Sequence, residues 1–124
     1  MPQYMLLIYG PTEGVPAGQQ AEISRWEEYT QGLQDAAVLV GGAQLHGVEA
    51  ATTVRVRDGE TLITDGPFAV TKEFLAGYYM LECPDLDVAL KHAALVPHLH
   101  YGSVEVRPLV DTGAPAGAEE QAPA

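Results

Sequence analysis

The sequence predicts an α+β domain, in which helices cover a sheet of antiparallel strands. Three observations predict it. Two strand-like segments are apolar on both faces, two stretches carry helical periodicity, and an Asp-Gly turn separates two alternating segments. A chain of 124 residues suggests one domain with a respectable core.

The first element is a strand over Gln3–Tyr9. Tyr4, Leu6 and Ile8 point one way, and Met5, Leu7 and Tyr9 the other. Both faces are apolar, so both need cover. Gly10-Pro11 stops the strand, and a Gly/Pro-rich loop follows. Ala21–Ala37 reads as a helix, because Ile23, Trp26, Thr30, Leu33 and Ala37 recur at spacings of three and four. Charged and amide side chains from Glu22 to Asp35 fill the rest of its circumference.

Val38–Leu45 is a strand interrupted by Gly41-Gly42, a pair that suggests a bulge, a bend or a close approach. Thr52–Thr64 reads as a hairpin about Asp58-Gly59, a type I′ signal. That register sets Arg57 against Glu60 and Arg55 against Leu62. It leaves Val54, Val56, Thr61 and Ile63 on a face able to pack.

Leu75–Glu82 is a strand with Tyr78 and Met80 on one face and Tyr79 and Leu81 on the other. Asp85 is the expected N-cap of a helix that runs to about Val96. That helix is expected to bury Leu86, Ala89, Leu90 and Ala93, with Pro97 closing it. Ser103–Leu109 is the last strand.

Without the hairpin this order is βαββαβ, the split pattern of a ferredoxin-like sandwich. Two helices cover only one face of its sheet. The other face would be a large apolar patch in a monomer. Face-to-face packing against a second copy hides it, so a homodimer is expected.

Charge and composition narrow the functions. The formal charge is −11. Residues from Asp111 onward are mostly Ala, Gly, Pro, Glu and Gln, and read as a disordered tail. Setting aside its three carboxylates (Asp111, Glu119, Glu120) leaves −8 of that −11 on residues 1–110. Such a surface repels a phosphate backbone, which argues against nucleic-acid binding. Cys83 is the single cysteine, so no intrachain disulfide or Cys-based zinc site can form. The start resembles no signal peptide, and no apolar run approaches bilayer length, so a cytoplasmic protein is expected and no membrane partner.

Four segments carry a family resemblance: Tyr4-Met5-Leu6-Leu7-Ile8-Tyr9, Thr53-Val54-Arg55-Val56-Arg57-Asp58-Gly59, Thr64-Asp65-Gly66-Pro67-Phe68 with Thr71-Lys72-Glu73, and Tyr101-Gly102-Ser103-Val104-Glu105-Val106-Arg107-Pro108. Together and in this order they resemble the DGPF subgroup of YCII-related proteins, over about residues 3–110. The resemblance implies a dimeric α+β barrel. It also implies a suspected small-molecule enzyme with a His–Asp pair in a cleft, and an association with sigma factors of the extracytoplasmic-function type. The motif's aspartate falls on Asp65. The family's histidine lies in the first helix, where this chain has none; its histidines are 46, 92, 98 and 100.

The residues themselves allow two roles for Asp65. Before Gly66-Pro67 it can fix the turn by accepting backbone N–H bonds, or it can act as a general base in a cleft. His46 is the histidine placed to pair with it if the hairpin folds back. Tyr9, Phe68, Lys72, Tyr78 and Arg107 are the candidate substrate-binding residues, Lys72 and Arg107 for an anionic group and the aromatics for orientation. His98 and His100 share a face if extended, but a third metal ligand would have to come from elsewhere, for example His46 or Glu105, and Pro97 allows an irregular turn instead. Neither a metal nor a cofactor is expected. Cys83 is expected to be buried rather than nucleophilic.

Two functional classes follow. One is a cofactor-independent isomerase, lyase or cyclase moving protons on a small organic molecule in a barrel pocket. The other is a non-catalytic ligand-sensing or regulatory module linked to a sigma factor.

Overall fold

The computed structural model describes residues 1–11, 23–69 and 72–111. The Gly/Pro loop after Pro11, Val70 and Thr71 of the motif, and the tail beyond Asp111 lie outside the described residues.

Six strands and two α-helices follow one another among the described residues. They are β1 (Gln3–Pro11), α1 (Ile23–Asp35), β2 (Leu39–Gln44), β3 (Thr52–Arg57), β4 (Glu60–Asp65), β5 (Glu73–Glu82), α2 (Leu86–Ala93) and β6 (Ser103–Pro108). A single 3-10 turn, Val48–Ala50, precedes β3. The main sheet has the order β2-β5-β1-β6, and every neighbouring pair is antiparallel. This is the ferredoxin-like α+β arrangement, with β3 and β4 forming a separate two-stranded sheet.

Strand alternation decides which side chains meet the helices. Tyr4, Leu6 and Ile8 pair with Leu81, Tyr79 and Gly77 on one side of the sheet and with Pro108, Val106 and Val104 on the other. These residues share the helix face, and Tyr4, Leu6, Ile8 and Leu81 are buried there with Leu33, Cys83, Ala89, Ala93 and Val96. The opposite face carries Met5, Leu7, Tyr78 and Met80, none of them fully buried. Both faces of β1 and β5 are apolar, as the sequence indicates, and the helices cover one.

The helices follow their patterns with corrections at their ends and on the buried face of α2. In α1, Leu33 is buried and Trp26, Tyr29 and Thr30 are half-buried, but Ile23 is exposed at the helix start. Ala37 lies past its end in the left-handed region (φ 59°), outside the stripe expected of it. Asp85 does cap α2, accepting the Val88 N–H at 3.0 Å. That helix ends at Ala93 rather than Val96, and it buries Ala89 and Ala93 while Leu86 and Leu90 stay exposed. A helix of eight residues resting on the sheet through its alanines turns its leucines outward.

The hairpin register is as read: Arg57 opposes Glu60, Arg55 opposes Leu62, and Asp58-Gly59 turn with positive φ (52° and 78°). Its packing is not. Val54, Val56 and Ile63 are 62 %, 67 % and 68 % exposed, so the face expected to pack has no cover among the described residues.

Candidate functional site

A cleft opens between α1 and the end of the main sheet, with a volume of about 920 Å³. Its walls include Ile8 of β1, Gly42 and Gln44 of β2, Phe74, Gly77 and Tyr79 of β5, and Trp26 and Thr30 of α1. His98 and Tyr101, from the turn after α2, close one side. Gly42 lets β2 run close: a Cβ there would fall 2.7 Å from the Tyr78 carbonyl oxygen. The paired glycines mark both a close approach and an irregularity, since the register slips between Leu39 and Gly41. A second irregularity between Ile8 and Tyr9 bends β1 and β5 where they line the cleft.

Two aromatic rings of the cleft wall, Trp26 and Tyr79, are tied together with Tyr29 behind them. Trp26 lies nearly parallel to Tyr79 (14°) with ring centres 6.4 Å apart. Tyr29 meets both rings edge-on, at 6.1 Å and 5.5 Å. The Tyr79 and Thr30 hydroxyls share a hydrogen bond of 2.6 Å. Tyr29 donates to the His92 carbonyl oxygen at 2.7 Å. Burial first, and then neighbouring Tyr79, pushes the Tyr29 hydroxyl well above the ordinary tyrosine pKa.

His98 is the most deeply placed polar group of the cleft, at 3 % exposure. Its Nε2 sits 2.7 Å from the Tyr9 carbonyl oxygen. A carbonyl oxygen can only accept, so Nε2 carries the hydrogen. Nδ1 is then the nitrogen with a lone pair in the neutral ring. It is shielded from water and has no hydrogen-bond partner among the described residues. The ring packs 5.3 Å from Trp26 and 5.8 Å from Tyr101. Local sequence explains the placement. Residues 97–101 form turns, with the Tyr101 and Gly102 N–H groups both donating to the His98 carbonyl, at 3.0 and 2.8 Å. The turn sends His98 inward and leaves His100 exposed, so the extended alternative, in which both share a face, is not adopted.

Glu27 is the one aspartate, glutamate, lysine or arginine among the described residues that line the cleft. An apolar, aromatic wall without a cation suits an uncharged molecule and disfavours an anion.

The candidate residues from the sequence are dispersed. Asp65 ends β4, opposite Thr52, and is exposed. Its turn is fixed by other groups: the Gly66 N–H donates to the Ala51 carbonyl at 2.7 Å, and the Thr53 hydroxyl to the Gly66 carbonyl at 2.8 Å. His46 is exposed and borders a smaller recess with Gln44, Leu45 and Gly47. No hydrogen bond joins it to Asp65 among the described residues, and neither residue lines the main cleft. Tyr78 borders the cleft, although alternation directs its side chain to the opposite sheet face with Leu7. Tyr9 supplies its carbonyl to His98, while its hydroxyl donates to Glu105 at 3.3 Å. Burial and then Glu105 raise the Tyr9 hydroxyl pKa. Phe68 is exposed beneath the Arg55 guanidinium, 5.3 Å above its ring. Lys72 is exposed just before β5, and Arg107 is exposed on β6.

The signal for His98 lay in Pro97 and Gly102. Together they demand a tight turn, and a turn is what carries one of two alternating histidines inward.

The sequence pattern of the YCII-related domain matches residues 3–112. The chain belongs to the YCII-related family. A protein of Rhizobium meliloti (strain 1021) described as uncharacterised is 38 % identical over 112 residues, covering 86 % of this chain and 90 % of its own length. For this YCII-related protein the cleft at His98 is therefore a site defined by its own geometry. Cys83 is fully buried in the core, as expected, and burial raises its thiol pKa, with Asp85 adding to the effect. No helix among the described residues is long and apolar enough to cross a membrane.

Proposed function

We propose that this YCII-related protein works as a homodimer. Each cleft takes a small, uncharged, largely apolar organic molecule and moves a proton on it without a cofactor. The reaction class is isomerisation or elimination. The observation that carries the reading is His98. Its ring forms part of an aromatic cleft wall, its Nε2 hydrogen is committed to Tyr9, and its Nδ1 has no partner among the described residues. A buried acceptor left unpaired costs about 1–3 kcal/mol, so a ligand O–H or acidic C–H that displaces the side chains shielding Nδ1 relieves it. In the proton-transfer step Nδ1 takes a proton from carbon or oxygen, and the resulting imidazolium donates from both nitrogens. The same proton then returns to another atom of the ligand, so no net oxidation or reduction occurs.

Homodimer formation rests on the apolar sheet face left bare by the helices, with Met5, Leu7, Tyr78 and Met80. Asp65, on which the motif's aspartate falls, and His46, the histidine expected beside it if the hairpin folds back, lie outside the cleft, and this reading gives them no role in the chemistry.

The test uses Trp26, the single tryptophan, as its reporter. Neutral p-cresol should quench or shift its fluorescence saturably, and 4-hydroxybenzoate should bind about tenfold more weakly or worse. In heavy water the protein should accelerate deuterium exchange at the acidic carbon of 2-indanone, and His98→Gln should lose at least about 10²-fold of that acceleration. Glutamine keeps an N–H for the Tyr9 carbonyl but lacks the second ring nitrogen. Equal exchange by the variant would overturn the assignment of His98.

A second reading, a ligand sensor acting beside a sigma factor, is favoured by the shielding of Nδ1 from water. It predicts a saturable Trp26 response with no exchange.

A further inference from the structure

The β3–β4 hairpin is the least supported element of the fold. Its two strands pair with each other and not with the main sheet. An isolated two-stranded hairpin is marginal in water, and this one turns Val54, Val56 and Ile63 outward on one face. By alternation Thr52, Thr61 and Asp65 lie on that same face. Asp65 therefore marks the base of an apolar strip, one acidic group beside three aliphatic ones.

The same chain carries a surface that matches this strip. The open face of the main sheet presents Met5, Leu7, Tyr78 and Met80. Arg107 lies directly opposite Met5 on that face, with Glu105 next to it opposite Leu7. Asp65 and Arg107 are exposed, have opposite charges, and have no ion-pair partner among the described residues. The dimensions agree. Six residues of strand span about 20 Å, and four strands place their outer pair about 14 Å apart, so one hairpin can cross the sheet.

We infer that the β3–β4 hairpin is an intersubunit arm: its Val54, Val56 and Ile63 face docks on the open sheet face of a second copy, with Asp65 against Arg107 of the partner subunit. The inference rests on the homodimer reading and names its contact surface. A second copy is the occupant because both complementary surfaces, apolar and charged, are on one chain. A two-fold axis then forms the contact twice, with each arm on the other sheet. Asp65 acts here as a recognition group in the dimer. The arrangement also gives the hairpin the third layer that its stability requires.

Sedimentation velocity on the full chain tests it. Wild type should dimerise reversibly. Val56→Asp and Ile63→Asp should each raise the dimer dissociation constant at least about tenfold, since each buries a charge at the contact. Both positions are exposed within the single chain, so circular dichroism should show these variants folded. Asp65→Arg and Arg107→Asp should each weaken the dimer, and the double variant should recover most of the loss. A wild-type chain that stays monomeric at every concentration would sink the homodimer and the arm together. A dimer indifferent to Val56→Asp and Ile63→Asp would leave the homodimer standing and overturn the arm. Dimerisation that the double reversal fails to restore would refute the Asp65–Arg107 contact.

Discussion

His98 Nε2 and the Tyr9 carbonyl oxygen, 89 residues apart in sequence, are 2.7 Å apart in the fold. The contact links the turn after α2 to the end of β1 and fixes the hydrogen of a buried imidazole. Nitrogen-15 NMR should therefore find neutral His98 with its hydrogen on Nε2 and a bare Nδ1. The Nδ1 resonance should move when p-cresol is added. His98→Phe should lose stability by about 0.5–1.5 kcal/mol, because the bond to the Tyr9 carbonyl is removed. A chemical-denaturation midpoint unchanged from wild type would contradict the contact.

Gly102 makes this contact possible. A Cβ at that position would run into the His98 ring and come within 2.6 Å of the Tyr9 carbonyl oxygen. Backbone and a packed ring cannot both yield, so Gly102→Ala is expected to cost about 1–3 kcal/mol by overpacking. The ring would be pushed toward Trp26, 5.3 Å away. Thermal denaturation should show a lowered midpoint, and the Trp26 emission maximum should shift even without ligand. Gly41→Ala is the control, since a Cβ there meets nothing within 4 Å.

Much of the fold is readable from residue pattern, and the site is not, for reasons visible at single positions. Alternation in Gln3–Tyr9 and Leu75–Glu82 places each side chain on its observed face, because a strand has only two faces to choose from. Asp58-Gly59 sets the hairpin register because few residues accept positive φ. Leu86 and Leu90 show where pattern fails. Helical periodicity marks an apolar face, but it does not reveal that Ala89 and Ala93 lie closer to the sheet. Nor does it show that Val54, Val56 and Ile63 lack cover among the described residues, because packing between elements has no local signature. His98 was one of two histidines separated by a single residue. Only the turn, closed by two N–H groups on its carbonyl, decides which of them enters the core.

Tyr29 gives the clearest pH dependence. Its hydroxyl pKa is raised in the folded protein by burial and by Tyr79, so the native state holds this proton more tightly than the unfolded chain does. The associated stability is complete below the unfolded tyrosine pKa of about 10 and declines as pH rises beyond it toward the folded value. Tyr29→Phe removes that dependence along with the 2.7 Å bond to the His92 carbonyl. That carbonyl still accepts the Leu95 N–H at 3.1 Å, so no acceptor is orphaned. The cost near neutral pH should then be about 0.5–1.5 kcal/mol. Urea denaturation at neutral pH and again above the ordinary tyrosine pKa should show wild type losing more stability than the variant over that interval. Parallel losses would mean that Tyr29 ionises in the folded state as readily as an exposed tyrosine.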